Sequence, residues 1–428
     1  MQIHVVISGD TLFSIANTYQ SDVDTIIAVN ELNTTNLVIG QALVIPIVGQ
    51  YYFVQPGDSL FKIANSFNLS TEELARVNNI SPSMMLPVGF RIYIPPLTKE
   101  EITSFAYVEP IGESVSTNLE NAVRETAPLL TFLAPFSYRV NRDGTLNPPP
   151  LNQFQEISGN NQTSMSLVVT NLEGPTFNSE LAHILLTVQA VQDKLIDEVI
   201  NIAKEEGFQD VHFDFEFIPE DDREAYNNFL RKIAPRLHQE GLLLSTALAP
   251  KTSSTQTGLL YEAHDYAAHG EIADFSVLMT YEWGYSAGPP LPVSPINEVQ
   301  KVLDYAISVM PSDKILMGQN LYGYDWTLPF VQGESFARAI SPQQAIAIAR
   351  EHGVEIQFDE TAQAPFFNYV DTEGLEHIVW FEDARSIQAK FDLIKQLNLK
   401  GIAYWKLGLS FPQNWLLLDN NFSIEKSD

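Results

Sequence analysis

Three titratable side chains alternate with apolar ones in the segment VHFDFEF, residues 211–217. Side chains of a β-strand point alternately to its two faces. One face of this strand therefore carries His212, Asp214 and Glu216. The other face carries only apolar side chains: Val211, Phe213, Phe215 and Phe217. Because burying two carboxyl groups and an imidazole costs free energy, this pattern predicts a functional site rather than a structural network.

The spacing of the two carboxyl groups limits the chemistry that they can perform. Residues i and i+2 of a strand lie about 6.6 Å apart on the same wall, so Asp214 and Glu216 cannot flank a sugar from opposite faces, as the usual glycosidase pair does. One acid must then act with a nucleophile supplied by another group. The sequence contains no phosphate-binding loop, no Ser or Cys nucleophile arrangement and no metal-ligand spacing of histidines. We expect neither a cofactor nor a metal.

The elements that must position this strand form a repeated strand–helix pattern. Eight short apolar segments are predicted as strands: ITSFAYV, LLTFLAPF, SMSLVVTN, VHFDFEF, LLLSTALAP, FSVLMTYEW, KILMGQNLYGY and GIAYWKLG. Amphipathic segments separate them, so we predict an α/β fold, a TIM (β/α)8 barrel, at residues 101–428. The inward strand faces of such a barrel rise to its C-terminal mouth. We therefore expect the three titratable groups to line the axis and the four apolar side chains of the opposite face to contact the helices.

The segment between the seventh and eighth strands is longer than an ordinary βα loop. It contains one helical sequence, SPQQAIAIAREHG, and three strand-like sequences, IQFDE, PFFNYVD and EHIVWF. We predict that approximately residues 327–379 form an inserted α+β subdomain that walls one side of the cleft.

The N-terminal part of the chain contains one module twice, at residues 1–48 and 49–97. The sequence GDTLF recurs as GDSLF 48 residues later, and Asn30 recurs as Asn78. Each copy reads as a strand, an N-capped helix, a second helix and a strand. This pattern resembles LysM, a βααβ module that binds polymers containing N-acetylglucosamine, such as peptidoglycan and chitin. The resemblance implies a shallow sugar groove near Asn30 and Asn78, and weak modules in tandem increase retention on a repetitive polymer.

The strand with the titratable face resembles a signature of glycoside hydrolase family 18, the chitinase-like barrels, whose fourth strand reads Asp-x-x-Asp-x-Asp-x-Glu. Alignment on Glu216 places Asp214 at the middle carboxylate, but His212 and Gln209 stand where the family usually has Asp. In this family the 2-acetamido oxygen of the substrate attacks the anomeric carbon, and water opens the oxazolinium ion with retention. The resemblance implies that Glu216 is the general acid/base and that Asp214 binds the acetamido N–H.

The neighbourhood of Glu216 leads to two expectations about protonation. The negative charge of Asp214 and partial burial should raise the pKa of Glu216, as an acid acting near neutral pH requires. We expect His212 to hydrogen-bond Asp214, to belong to the substrate-binding groups and to alter the pH profile without abolishing activity.

Three further segments resemble family 18 signatures in the expected order: LMTYEW, GQNLYGYDW and GIAYWKLG. The resemblance implies that Tyr281 orients the acetamido carbonyl and that Trp405 stacks under the sugar ring. The remaining substrate-binding candidates are Met279, Glu282 (in place of the family Asp), Tyr107, Gln319 and Tyr322. Trp283, Trp326 and Trp380 fit a sugar platform and internal packing equally well.

The composition restricts the partners of the protein. The formal net charge is −29, which argues against nucleic acid and against anionic membranes, since both need Lys and Arg to neutralise phosphate. The sequence has no cysteine, no apolar run of transmembrane length and no segment typical of a signal peptide. We expect a monomer whose partner is a peptidoglycan-type glycan.

Two LysM-like modules before a family 18-like barrel resemble the spore cortical fragment-lytic enzymes and related germination proteins of spore-forming bacteria. The resemblance implies an N-acetylglucosaminidase that acts on cortex peptidoglycan or its fragments during germination. It also implies synthesis in the cytoplasm without a signal peptide and a final place in the coat or cortex region of the spore. The alternatives are a chitinase-type endo-glucosaminidase, which would be expected to carry an export signal, and a non-catalytic peptidoglycan-binding coat protein, which would be expected to have lost the Glu at position 216.

Overall fold

The computed structural model describes residues 1–96 and 98–426. Leu97, at the predicted end of the second module, and Ser427 and Asp428, at the predicted end of the barrel, lie outside the described residues. Within the described ranges, no helix is both long enough and apolar enough to cross a membrane.

Each N-terminal module is a βααβ unit. The first comprises β1 (Gln2–Val5), α1 (Leu12–Tyr19), α2 (Val23–Val29) and β2 (Ala42–Ile45), and the second comprises β3 (Gln50–Phe53), α3 (Leu60–Ser66), α4 (Thr71–Val77) and β4 (Arg91–Ile94). The strands pair antiparallel, β1 with β2 and β3 with β4. The first helix of each module begins at an equivalent cap, since the hydroxyls of Thr11 and Ser59 accept hydrogen bonds from the backbone N–H groups of Ser14 and Lys62.

The chain then alternates strands and helices up to the seventh barrel strand. The elements are β5 (Glu100–Val108), α5 (Thr117–Thr126), β6 (Phe132–Pro135), β7 (Tyr138–Val140), β8 (Leu146–Asn147), α6 (Phe154–Asn160), β9 (Ser164–Thr170), β10 (Leu172–Glu173), β11 (Thr176–Phe177), α7 (Ser179–Thr187), α8 (Gln189–Glu206), β12 (Asp210–Asp214), α9 (Arg223–Gln239), β13 (Leu243–Leu248), α10 (Tyr266–Ile272), β14 (Phe275–Leu278), α11 (Ile296–Val309) and β15 (Ile315–Asn320). Short 3-10 turns occur at Ala127–Leu129, Glu220–Asp222 and Ser312–Lys314.

The remaining elements form the insertion and complete the barrel. They are β16 (Gly323–Thr327), β17 (Arg338–Ile340), α12 (Pro342–Glu351), β18 (Gln357–Asp359), β19 (Ala364–Val370), β20 (Glu376–Trp380), α13 (Ala384–Leu397), β21 (Gly401–Trp405), α14 (Pro412–Asn421) and β22 (Phe422–Ile424). Strands β16 to β20 form a separate antiparallel sheet in the order β17-β16-β20-β19-β18. Trp326 and Trp380 are buried in the apolar cluster of this region, so packing is the reading that the structure supports for both.

Eight parallel strands close into the predicted barrel. Their order is β12-β13-β14-β15-β21-β5-β6-β9, and β9 pairs with β12 to complete the circle. The inward side chains pack as an aromatic-rich layer that includes Phe105, Phe132 and Phe275. The outward side chains of the strands pack under the helices in the main core. The predicted fold class, a TIM barrel with an α+β insertion after two LysM-like modules, is confirmed.

The strand at residues 211–217 is shorter than predicted. Strand β12 ends at Asp214. Val211, Phe213 and Phe215 are buried among the helices, where Phe215 stacks on Tyr226. Phe217 does not follow the predicted alternation, because its φ is +53°, outside the β region, and its side chain is exposed.

The first module packs directly on the rest of the molecule. Val38 belongs to the same apolar cluster as Ile340 and Ile346 of the insertion. The backbone N–H of Ile356 donates to the carbonyl of Ile39 at 2.9 Å. The Gln413 amide on α14 donates to Asn30 at 2.9 Å. The module is therefore joined to the barrel and to the insertion by both apolar and polar contacts.

Candidate active site

Asp214 and Glu216 lie at the C-terminal mouth of the barrel, and different contacts hold the backbone of each residue. Asp214 is the last residue of β12 and is buried. Glu216 follows the strand, and the side chain of Asn171 holds its backbone: the Glu216 N–H donates to Asn171 Oδ1 at 3.0 Å, and Asn171 Nδ2 donates to the Glu216 carbonyl at 2.9 Å. The segment between β13 and α10 adds a further hold, since His264 contacts the carbonyl of Phe215 at 2.9 Å. Both carboxyl groups are thus fixed at the floor of one cleft.

The cleft has a volume of about 600 Å³. Most of the predicted site residues line it: Asp214, Glu216, Tyr281, Met279, Glu282, Tyr107, Tyr322 and Trp405. Apolar and aromatic walls with a few converging polar groups are typical of a site that binds an amphipathic ligand such as a sugar. Among the described residues, no cluster of His, Asp and Glu side chains could hold a metal ion.

The electrostatics of the carboxyl pair favour the retention of a proton. Burial raises the pKa of Asp214. Burial and the adjacent charge of Asp214 raise the pKa of Glu216 well above its ordinary value, which is the direction expected from the sequence. Because Asp214 and Glu216 interact, ionisation of one raises the pKa of the other, so the pair retains a proton to higher pH than two isolated carboxyl groups would. A pair that retains one proton can supply one acid and one carboxylate at the same time.

Tyr281 and Glu282 lie on the segment that follows β14. The Tyr281 ring packs over Gly318, where an added Cβ would stand 2.9 Å from the ring, so only glycine lets the tyrosine reach the cleft. The hydroxyl of Tyr322 donates to the Glu282 carboxylate, and the hydroxyl of Tyr324 donates to the same oxygen at 3.0 Å. The insertion side of the cleft thereby fixes Glu282 in place.

Trp405 ends β21 and forms part of the cleft floor. Its ring meets Tyr107 edge-on at 5.4 Å and Phe136 at 4.9 Å between centroids. Lys406 follows it, lies against the Trp405 ring and forms an ion pair with Glu109. Two aromatic edges hold the indole in one orientation, which leaves it available as a flat surface for a sugar ring.

His212 does not make the predicted hydrogen bond to Asp214. The residue is fully buried and does not line the cleft. Its Nδ1 is 2.7 Å from the Ser245 hydroxyl and its Nε2 is 2.8 Å from the Tyr107 hydroxyl, so both ring nitrogens are occupied. The prediction that His212 binds substrate is wrong for the same reason. The alternation placed His212 on the correct face, but it could not show that this position lies one layer below the mouth.

Gln319 was also expected to bind substrate, and the structure places it elsewhere. It is fully buried, is absent from the cleft lining, and its amide donates to the backbone carbonyl and side chain of Asn320. A position at the end of a barrel strand is therefore not sufficient to predict that a side chain reaches the cleft.

Asn30 and Asn78 brace their modules internally. Asn30 donates to the carbonyl of Val44 at 2.7 Å and accepts from its N–H at 2.8 Å. Asn78 makes the same pair of hydrogen bonds with Tyr93, both at 2.7 Å. Each asparagine thus ties the second helix of its module to the last strand. Their recurrence is explained by this shared structural bond. Asn30 is also buried, which contradicts its predicted place in a sugar groove, whereas Asn78 is half-buried and its predicted contact with glycan stays a prediction.

Several residues of the site were missed from the sequence. Asn171 follows directly after β9, and a polar residue after a barrel strand was a signal that could have identified it. Arg139 of the short strand β7, Tyr324 of the insertion and Lys406 after β21 also line the cleft, and no periodic pattern marks these positions. Asp210, two residues before His212 on the same strand face, is fully buried and was not singled out.

Comparison with known proteins accounts for this architecture. The model of the glycosyl hydrolases family 18 matches residues 99–409, and the LysM domain model matches residues 4–46 and 52–95. The chain belongs to glycosyl hydrolase family 18. It also carries two LysM domains, so both resemblances found in the sequence are confirmed.

Several relatives match the chain over nearly its full length. The cortical fragment-lytic enzyme of Bacillus subtilis (strain 168) is 57% identical over 427 residues, which cover 100% of this chain and 99% of that protein. The putative sporulation-specific glycosylase YdhD of the same organism is 34% identical and is covered over its full length, as is this chain. The crystal structure of the Bacillus cereus spore cortex-lytic enzyme SleL superposes with a TM-score of 0.92 at 49% identity, over 100% of this chain and 99% of that one.

Proposed function

We propose that this family 18 member is an N-acetylglucosaminidase that cleaves spore cortex peptidoglycan, or fragments of it, during germination. The observation that carries the proposal is the pair Asp214 and Glu216, two carboxyl groups with raised pKa values at the floor of one cleft. The names of the full-length relatives, which refer to cortical fragments and spore cortex, support the substrate class. We expect the protein to act at the spore, in the coat or cortex region.

The proposed mechanism is retaining and substrate-assisted. Glu216 protonates the glycosidic oxygen, and the acetamido oxygen of the substrate attacks the anomeric carbon with the support of Asp214. Tyr281 orients the acetamido carbonyl and Trp405 carries the sugar ring. Glu216, now ionised, then removes a proton from the water that opens the oxazolinium ion. Because both carboxyl groups come from one wall, the nucleophile must be another group, and membership of family 18 supports the acetamido oxygen of the substrate in this role.

The decisive experiment compares products by mass spectrometry. Purified cortex fragments and chitin oligomers are incubated with the wild-type protein and with Glu216→Gln. We expect new N-acetylglucosamine-ended products from cortex fragments with the wild type and at least a hundredfold less with the variant. Glu205→Gln, which changes an exposed carboxylate far along α8, is the matched control and should behave as wild type.

Three outcomes would contradict parts of the proposal. Equal amounts of product from the wild type and from Glu216→Gln would show that Glu216 is not the general acid/base. Cleavage of chitin oligomers without cleavage of cortex fragments replaces the substrate by chitin. An initially inverted product anomer, read by proton NMR at early times, excludes the substrate-assisted mechanism.

A further inference from the structure

A buried chain of hydrogen bonds runs below the carboxyl pair and joins four barrel strands. Tyr107 of β5 contacts His212 Nε2 at 2.8 Å, and His212 Nδ1 contacts Ser245 of β13 at 2.7 Å. Ser245 donates to Asp210 Oδ2 at 2.7 Å, and Ser166 of β9 donates to the same oxygen at 2.6 Å. All five side chains are buried, and Tyr107 is the member that lines the cleft. The chain therefore leads from a carboxyl group deep in the barrel to a hydroxyl at the site.

Asp210 fixes the direction of every hydrogen bond in this chain. Its Oδ2 receives two hydroxyl hydrogens, whereas its Oδ1 has no partner among the described residues. Burial raises the pKa of Asp210 to about 7, and in the ionised form of this carboxyl group Oδ2 can only accept hydrogen bonds. Ser245 has one hydrogen and gives it to Asp210. It must then accept from His212.

The direction continues through the imidazole to the tyrosine. An accepting Ser245 requires a hydrogen on His212 Nδ1, and burial lowers the pKa of His212 to about 3, so the ring is neutral and carries that single hydrogen. Its Nε2 is then an acceptor. The Tyr107 hydroxyl hydrogen points to Nε2, away from the cleft.

We propose that Asp210 is a positioning residue that acts through Ser245 and His212 to hold the Tyr107 hydroxyl hydrogen out of the cleft, so that the Tyr107 oxygen offers only lone pairs to the site. Burial raises the pKa of Tyr107 well above its ordinary value, and smaller contributions come from Tyr281 and from the charges of Asp214 and Glu216. An acceptor at this position favours a protonated carboxyl group or a substrate N–H or O–H as its partner. A hydroxyl hydrogen at this position would instead stabilise the ionised carboxylates. The acid step needs the protonated form of the carboxyl group.

The first test reads the tautomer of His212 directly. In nitrogen-15-labelled full-length protein at neutral pH, long-range proton–nitrogen correlations distinguish Nδ1–H from Nε2–H, and the signal is assigned by its loss in His212→Gln. We expect the neutral Nδ1–H tautomer. An Nε2–H tautomer or an imidazolium in the wild type overturns the proposal.

The second test reverses the chain with Asp210→Asn. The side-chain amide of the introduced asparagine has two N–H donors. Among the described residues, only Ser166 and Ser245 are within reach as acceptors, so the NH2 group must point at them. Ser245 then donates to Nδ1, His212 becomes the Nε2–H tautomer, and the Tyr107 hydrogen turns toward the cleft. We expect this tautomer change together with a fall of about tenfold in kcat on cortex fragments. An unchanged tautomer with unchanged kcat in a folded variant refutes the proposal.

Two further variants separate positioning from loss of packing. Ser166→Ala removes a donor to Asp210 but leaves the link through Ser245, so His212 should remain Nδ1–H. Ser245→Ala breaks the link, so both tautomers should be populated, and this variant replaces Asp210→Asn if the latter does not fold. A pure Nδ1–H signal in Ser245→Ala contradicts the proposal.

The inference about kcat rests on the proposed function, whereas the inference about the tautomer does not. If cortex fragments prove not to be the substrate, the nitrogen spectra still test the chain of hydrogen bonds. If the tautomer is wrong while Glu216→Gln is inactive, only the role of Asp210 is lost.

Discussion

The two carboxyl groups at the mouth of the barrel differ in what holds them. Asp214 belongs to the sheet, where β9 and β13 flank its strand. Glu216 lies beyond the sheet, and two hydrogen bonds between its backbone and the side chain of Asn171 hold its position. A proton donor that must reach a glycosidic oxygen needs such a fixed position, because small displacements are costly in catalysis.

Removal of the charge of Asp214 should lower the pKa of Glu216. Burial and the Asp214 charge both raise that pKa, and Asp214→Asn removes only the second cause. Loss of the acid proton limits activity at high pH, so the alkaline limb of kcat/KM should move to lower pH in the residual activity of the variant. The measurement is a pH–rate profile on cortex fragments with Glu205→Gln as control. An alkaline limb that stays in place means that burial alone maintains the Glu216 proton.

The four short helices of the LysM domains carry two pairs of equivalent residues with different exposure. Asn30 and Asn78 close α2 and α4 and brace the last strand of each module. Phe13 and Phe61 lie in the first turns of α1 and α3 at equivalent positions and are 71% and 62% exposed. Exposed aromatic rings repeated in this way indicate contact surfaces for a repetitive ligand.

We infer that Phe13 and Phe61 contact the glycan. Phe13→Ala and Phe61→Ala should each weaken retention on insoluble cortex peptidoglycan by about tenfold, and the double variant by more, because two modules bind one polymer. Cosedimentation measures the effect. Val48→Ala, which changes another exposed apolar residue of the same region, is the control. Wild-type retention of the double variant would assign binding to another surface.

At the scale of the whole molecule, the two modules have different relations to the barrel. Gly40 of the first module has a φ of +84° and lies against the Ile356 carbonyl, which an added Cβ would overlap. Gly89 occupies the equivalent turn of the second module with a φ of +80°, and nothing lies within 4 Å of its Cβ position. The same backbone turn thus contacts the insertion in the first module and faces open space in the second.

Gly40→Ala should detach the first module, whereas Gly89→Ala should not. Both substitutions add the same strain at positive φ, but only the first creates a clash with the insertion. Hydrogen exchange at Ile356, whose N–H is bonded to Ile39, should become faster in Gly40→Ala alone. Equal exchange in the two variants would mean that the contact does not hold the module.

The sequence by itself determined the features that depend on local periodicity. Alternation placed His212, Asp214 and Glu216 on one face, the eight strand segments predicted the barrel, and the recurrence of GDTLF predicted two modules. These patterns are strong because one face of each element must be buried. Family signatures then located Tyr281 and Trp405, which the structure brings to the same cleft.

Only the tertiary structure decided which polar groups meet. The distance of His212 from the mouth, the bonds of Asn30 to Val44 and Gln413, and the end of β12 at Asp214 all depend on partners far away in the chain. A side chain acquires its role from the donors and acceptors around it, and sequence spacing does not specify these across a barrel. For that reason the histidine in place of a family carboxylate was visible in the sequence, while its link through Ser245 to Asp210 was not.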